Sequence, residues 1–216
     1  MLLAFSGRDS LCCWLRLRAA GIEIIPYFLY TVPGLSYDDE MLAYYERFFN
    51  TPIIRLPHHV TYNLLRCGTW QTLDGAASIY RANLPRYDFK DVENHLAGEF
   101  GLPDSYLCSV GMKAADNAQR FHTIRQRGTI GRVRHYYYTI WDWNTAQVKE
   151  YLAGNGVKLS KSYLYFGSTG DGIDYRFLRF LKDKLPQDYQ RVLDVFPLAE
   201  LELFRYEVVS GWQENQ

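Results

Sequence analysis

Met1-Leu2-Leu3-Ala4-Phe5-Ser6-Gly7-Arg8-Asp9-Ser10 is the stretch whose reading decides the fold. Leu2 to Phe5 form a short apolar run ending in an aromatic residue, and Ser6-Gly7 punctuates it. From Asp9 or Ser10 to Ala20 the spacing predicts a helix that stops at Gly21. A strand, a tight loop of small residues and a helix start together make a receiver for an anion. The loop turns backbone N–H groups inward, and the first helical turn adds donors that have no partner within the helix. On these residues alone, an ordinary connecting turn of an α/β unit accounts for Ser6-Gly7-Arg8 equally well.

Working outward, Ile22 to Tyr30 read as a second apolar strand, with Pro26 expected at an irregular or edge position. Thr31-Val32-Pro33-Gly34 turns into a helix from about Tyr37 to Phe49, whose first turn carries Asp38, Asp39 and Glu40. Thr51 to Leu56 supply a third short strand. This βαβαβ order predicts an α/β fold: an open, mostly parallel sheet with helices on both faces, Rossmann-like. Ligands of such sheets sit beyond the strand ends at a topological switch. The loops Ser6 to Ser10 and Thr31 to Gly34 are therefore candidates to face one pocket.

The periodicity weakens between residues 58 and 104, which read as an insertion or lid, except for a helix from Phe89 to Phe100. His58-His59 hints at a metal, yet no third ligand stands nearby and adjacent histidines normally diverge, so no metal ligand is assigned. Tyr106 to Val110 is strand-like and leads into a basic region, where Lys113, Arg120, Arg125, Arg127, Arg132 and Arg134 face the single acid Asp116. That is a local positive field suited to phosphate or sulfate oxygens, or a solvated basic helix balanced from elsewhere. Tyr136 to Ile140 is β-like, and Asn144 with Gln147 predicts a capped helix start. Gly167 to Gly172 reads as a turn or a second anion loop, and helices follow from Asp174, Pro186 and Leu198. The expected organisation is an α/β domain over residues 1–170 with a helical extension over 171–216 packed on it.

Composition narrows the function classes. The 216 residues carry 24 basic and 24 acidic side chains, so no global charge points to nucleic acid or a membrane. The 18 tyrosines suggest an aromatic surface or groove. Cys12, Cys13, Cys67 and Cys108 form no C-x-x-C pair, which fits a reducing compartment. With no basic leader and no apolar run long enough to span a bilayer, a cytoplasmic protein with no membrane partner is expected.

Four stretches in order resemble the adenine nucleotide alpha hydrolase-like superfamily, and within it the phosphoadenosine phosphosulfate reductase-like branch, which includes phage-carried members. The family's S-G-G-K-D-S loop, the PP-loop, is matched by Ser6-Gly7-Arg8-Asp9-Ser10 with one glycine fewer and Arg8 in place of lysine. Its D-T-G is similar to Tyr30-Thr31 followed by Gly34, and its G-I-R-A-x-E/D-S followed by arginine to Gly111-Met112-Lys113-Ala114-Ala115-Asp116 with Arg120. The later P-I-x-D-W-T-x-x-D-V-W-x-Y-L run resembles Thr139 to Leu152.

The resemblance implies an ATP-pyrophosphatase-like enzyme that adenylylates an acceptor and releases pyrophosphate, with ATP and Mg²⁺ as nucleotide and cofactor. Asp9, Arg8 and Lys113 would be the catalytic residues. Ser6, Gly7, Ser10, Thr31, Gly34, Asp116 and Arg120 would bind the nucleotide. The partners implied are an adenine nucleotide and an unidentified acceptor, in the host cytoplasm for a phage-encoded chain. The branch's reductases use a C-terminal cysteine, and residues 109–216 contain none, so sulfonyl reduction by a thiolate is excluded. Two alternatives stand beside the enzyme: a non-catalytic protein that binds an adenine nucleotide or sulfonucleotide, and a nucleic-acid-associated accessory protein reading through the basic segment.

Overall fold

The computed structural model describes residues 1–159 and 172–213. Its centre is a sheet whose strands are β1 (Leu2–Ala4), β2 (Ile25–Tyr30), β3 (Ile54–Pro57), β4 (Cys108–Val110), β5 (Ile130–Gly131) and β6 (Tyr136–Tyr138). The order is β3-β2-β1-β4-β6-β5. β1 runs parallel to β2 and β4, β4 parallel to β6, and β5 antiparallel to β6. The fold is thus α/β with an open, mostly parallel sheet. The chain builds outward from β1 to β3 on one side, then returns to place β4 on the other, so the switch in strand order falls between β1 and β4.

Alternation along the strands sends side chains to two faces, and each face is covered by helices. On one face, α1 (Arg8–Ala19) sets Trp14 edge-on against Phe5, with centroids 6.0 Å apart. Trp14 also stacks at 3.9 Å on Phe49 of α2 (Ser36–Phe49), and Tyr45 of the same helix meets Phe5 at 5.1 Å. Cys13 of α1 lies against the Ser109 and Thr139 hydroxyls, themselves 2.7 Å apart. On the other face, Tyr27 and Cys108 meet under Glu93, which belongs to α5 (Phe89–Glu99). Leu2, Leu3, Leu11, Tyr27 and Cys108 are fully or almost fully buried, so the core is laid directly on β1 and its neighbours.

Pro26 is not at an edge. It lies opposite Leu3 in β2, which has β3 on one side and β1 on the other. The bonds toward β1 use Ile25 N–H donating to Met1 O, and Phe5 N–H donating to Tyr27 O. Both belong to residues flanking Pro26, so its missing donor leaves that ladder whole.

The chain divides into two compact units. The first holds Met1–Leu29, Tyr45–Leu56 and residues 90–159, and carries most of the sheet. It also contains a 3₁₀ turn (Ala114–Asp116), α6 (Ala118–Arg127) and α7 (Thr145–Gly154). Asn144 and Gln147 cap α7 reciprocally at 2.8 and 3.0 Å, as their spacing predicts. The second unit holds Tyr30–Tyr44, Pro57–Phe89 and residues 172–213. Here α3 (His59–Arg66) and α4 (Leu73–Ala82) join α8 (Tyr175–Lys184), α9 (Pro186–Val195) and α10 (Glu200–Gln213).

The second unit is tied by a buried carboxylate. Asp188, 1 % exposed, accepts from Ser36 N–H at 2.9 Å and from the Ser36 hydroxyl at 2.7 Å, and Arg191 pairs with it at 2.6 Å. Gln71 donates to Val195 O at 2.7 Å, and Leu198 N–H to Trp70 O at 2.9 Å. Of the segment expected as an insertion at 58–104, residues 58–89 therefore cluster with the C-terminal helices, whereas residues 90–104 belong to the first unit. The anion loop expected within Gly167–Gly172 lies almost wholly outside the described residues. Among the described residues, no helix is long and apolar enough to cross a membrane.

Candidate functional site

The loops that leave β1 and β4 at the switch in strand order meet at Gly111. A Cβ there would lie 2.8 Å from Asp9 Cβ and 3.1 Å from the Asp9 carbonyl carbon, closer than a side chain allows. Glycine is what lets the two loops touch. Asp9 and Lys113, 104 residues apart, are thereby brought into direct contact.

Lys113 is 1 % exposed, and its ammonium lies between two carboxylates. Nζ donates to Asp9 Oδ2 at 2.6 Å and sits 3.0 Å from Asp116 Oδ1. Lys113 N–H donates to Asp116 Oδ2 at 3.3 Å, and Arg120 Nη1 closes the array on that same oxygen. Arg8 Nε stands 3.7 Å from Asp9 Oδ1. Arg8, Lys113 and Arg120 thus gather around the carboxylates of Asp9 and Asp116. Burial pushes the Asp116 carboxyl up, but hydrogen bonds from Lys113 and Arg120 outweigh it and hold the group below its ordinary value.

The local fold explains these placements. Asn117 caps α6 by accepting from Arg120 N–H at 2.8 Å, which sets Arg120 one turn from Asp116. Ala114 N–H donates to Trp141 O at 2.8 Å, so the loop after β6 braces the loop after β4. Arg16 of α1 donates to Thr139 O at 2.9 Å and lies over the Trp143 ring at 5.4 Å, tying the Trp141-Asp142-Trp143 run to the first helix.

The first loop is closed on itself. Ser10 Oγ accepts from Ser6 N–H at 3.1 Å and Gly7 N–H at 2.9 Å, and donates to Gly7 O at 2.7 Å. The two N–H groups expected to face an anion are held by a hydroxyl of the same loop. The N–H groups of Asp9 and Ser10, in the first turn of α1, have no acceptor among the described residues.

Of the residues singled out in the sequence, the structure brings together Arg8, Asp9, Lys113, Asp116 and Arg120, and beside them Ser6, Gly7 and Ser10. Thr31 and Gly34 lie in the turn after β2, where Gly34 has φ +74°, and belong to the second unit. Sequence reasoning missed Gly111 as the contact point; its only signal there was a glycine directly after an apolar strand. It placed Lys113 in a local positive field suited to phosphate oxygens; the structure adds that both neighbouring carboxylates hold its ammonium.

His58 and His59 do not diverge: their rings stack at 4.7 Å, and His58 Nδ1 accepts from Val60 N–H. Among the described residues no group of three His, Cys, Asp or Glu side chains gathers to hold a metal. The residues at the switch fit Mg²⁺ only as an ion carried on a nucleotide's phosphates. Asp9 Oδ1, buried and without a hydrogen-bond donor, is the carboxylate oxygen that such an ion or one of its waters would meet. Burial also pushes the Cys12 and Cys13 thiols up to about 12 and raises Cys108 further, so none of the three supplies a thiolate near neutral pH.

No protein-family model matches the chain, and no curated protein matches it.

Proposed function

We propose that this chain is an ATP-pyrophosphatase-like enzyme that adenylylates an acceptor in the cytoplasm and releases pyrophosphate. The observation that carries the reading is the meeting of the two resembling motifs at the switch point. Asp9 of the first loop and Lys113 of the loop after β4 make a 2.6 Å contact where an open parallel sheet offers its ligand site.

In this reading Ser6, Gly7 and Ser10 receive phosphate oxygens, with the hydroxyl of Ser10 turning from Gly7 O to the ligand. The N–H groups of Asp9 and Ser10 add the helix N-terminal field. Arg120, nearly half-exposed, supplies a fork for phosphate oxygens, and Lys113 holds Asp9 and Asp116 in place around it. An acceptor nucleophile attacks the α-phosphorus and its bond to the bridging β-phosphate oxygen breaks. Pyrophosphate leaves and the acceptor's proton passes to solvent. Arg8, Lys113 and Arg120 counter the charge that grows on the departing pyrophosphate. Mg²⁺ brought in with the nucleotide would supply further positive charge for the departing pyrophosphate, and Asp9 would be the residue to hold it or one of its waters.

The closed first loop favours a second reading, nucleotide binding without turnover, because Ser10 already occupies the donors that catalysis would need. Pyrophosphate release from ATP, measured across a panel of carboxylate, amine and thiol acceptors, separates the two. Release that Asp9→Ala abolishes in a folded protein supports the enzyme, and ATP binding with no release under any acceptor supports the binder.

A further inference from the structure

Between Asn117 and Trp141 the chain contains no aspartate or glutamate and five arginines. Arg120 is committed to Asp116. The other four, Arg125, Arg127, Arg132 and Arg134, are all exposed and form no ion pair among the described residues. In a chain with equal numbers of acids and bases, this is a stretch of clustered positive charge.

The helix α6 and the β5–β6 hairpin follow one another directly in the chain. Tyr138 N–H donates to Thr129 O at 2.9 Å, and Ile130 pairs with Tyr137 across the β5–β6 hairpin. The Tyr138 ring lies within the fields of both Arg127, at the end of α6, and Arg134, in the hairpin turn. Apolar side chains interleaved in sequence with these arginines are exposed too: Val133 is 92 % exposed, Phe121 54 % and Ile130 50 %.

We infer that the surface formed by α6 and the β5–β6 hairpin binds single-stranded nucleic acid. Four unpaired guanidiniums complement a chain of phosphates, since each forks two donors to one phosphate and also stacks on a base. Phe121, Ile130 and Val133 give unstacked bases a surface to lie on, which a duplex, with its bases already stacked, cannot use. An anionic membrane is the weaker fit. The three apolar side chains are dispersed among arginines, and α6 turns polar residues such as Gln119, His122 and Gln126 outward instead of a continuous apolar stripe. This inference does not rest on the nucleotide reading, because none of the four arginines belongs to the switch-point cluster.

The test is fluorescence anisotropy of a labelled 20-nucleotide single strand, against the same sequence as a duplex and against phosphatidylserine vesicles. With four phosphate contacts the single strand should show a log–log salt slope of about −2.8, so that affinity falls about 50-fold between 50 and 200 mM salt. Arg132→Ala/Arg134→Ala should lower the slope by about 1.4, and adding Arg125→Ala and Arg127→Ala should abolish binding while the melting temperature holds. Four results overturn the inference. They are no binding at 50 mM salt, binding that the fourfold variant retains, tighter binding of the duplex than of the single strand, and binding of vesicles without the oligonucleotide.

Discussion

Lys113→Met removes one ammonium and little volume, so it isolates the electrostatic part of the switch-point cluster. The lost charge is shared unequally. Asp116 keeps the Arg120 guanidinium and the Lys113 main-chain N–H, both independent of the side chain. Asp9 loses its 2.6 Å partner, while its other oxygen is already buried without a donor. Removing one partner of a fully buried pair costs about 3–5 kcal/mol, but Asp9 and Asp116 side chains are 31 % and 19 % exposed, so water recovers part of it. We expect a loss of about 2–3 kcal/mol, which for a chain of this length is a fall of roughly 4–12 °C in melting temperature.

The cycle with Asp9→Asn identifies the cause. If the cost is an uncompensated carboxylate, Asp9→Asn/Lys113→Met should recover about 1–2 kcal/mol relative to the sum of the single changes. Urea unfolding followed by circular dichroism at constant m-value reads all four proteins. A Lys113→Met protein within 0.5 kcal/mol of the parent, or strictly additive single changes, would refute the reasoning.

Three further outcomes follow from other parts of the structure. Burial raises the Asp38 carboxyl to about 7, with Asp39 and Asp188 adding to the shift. Its folded value lies above its unfolded one, so the stability that Asp38 contributes is full below about pH 4, falls as pH rises to about 7, and is level beyond, with a total drop of up to about 4 kcal/mol from this group. Asp38→Asn should flatten that pH profile of unfolding free energy, and an unchanged slope would count against the assignment. Gly111→Ala forces a Cβ into Asp9 and should cost about 1–3 kcal/mol, measured by thermal melting, whereas the same change at Gly98, where nothing lies within 4 Å, should be neutral or stabilising. Asp188→Ala strips the acceptor from Ser36 and Arg191 and should raise amide exchange at the start of α2 and in α9, with a loss of about 3 kcal/mol.

The parallel sheet was legible because its strands are short apolar runs separated by capped helices, and Gly21 and the Asn144–Gln147 pair marked helix boundaries that the structure keeps. The strand order was not legible. Nothing local in Cys108-Ser109-Val110 states that it returns to β1, and that return creates the switch point. Helix α4 was missed for a physical reason: none of its residues is buried and Leu73 and Tyr80 are exposed, so no stripe signals it. Several of the tyrosines that suggested an aromatic groove serve packing instead. Tyr45 donates to Lys158 O at 2.7 Å, Tyr106 to Asn94 Oδ1 at 2.8 Å and Tyr189 to Glu200 Oε1 at 3.1 Å. At the site, the residue types were readable but their pairing was not. Lys113 and Asp9 are distant in sequence, and only the fold makes one neutralise the other.

The most direct test of the central claim is a calorimetric titration with ATP, with and without Mg²⁺, of the parent chain, Ser10→Ala and Arg120→Ala. The account predicts saturable binding at micromolar ATP, stronger with Mg²⁺, that weakens at least tenfold in Arg120→Ala and changes measurably when the Ser10 hydroxyl is removed. No heat of binding in the parent chain, or the same affinity in all three proteins, would contradict the claim that the two loops at the switch between β1 and β4 receive the phosphates of an adenine nucleotide.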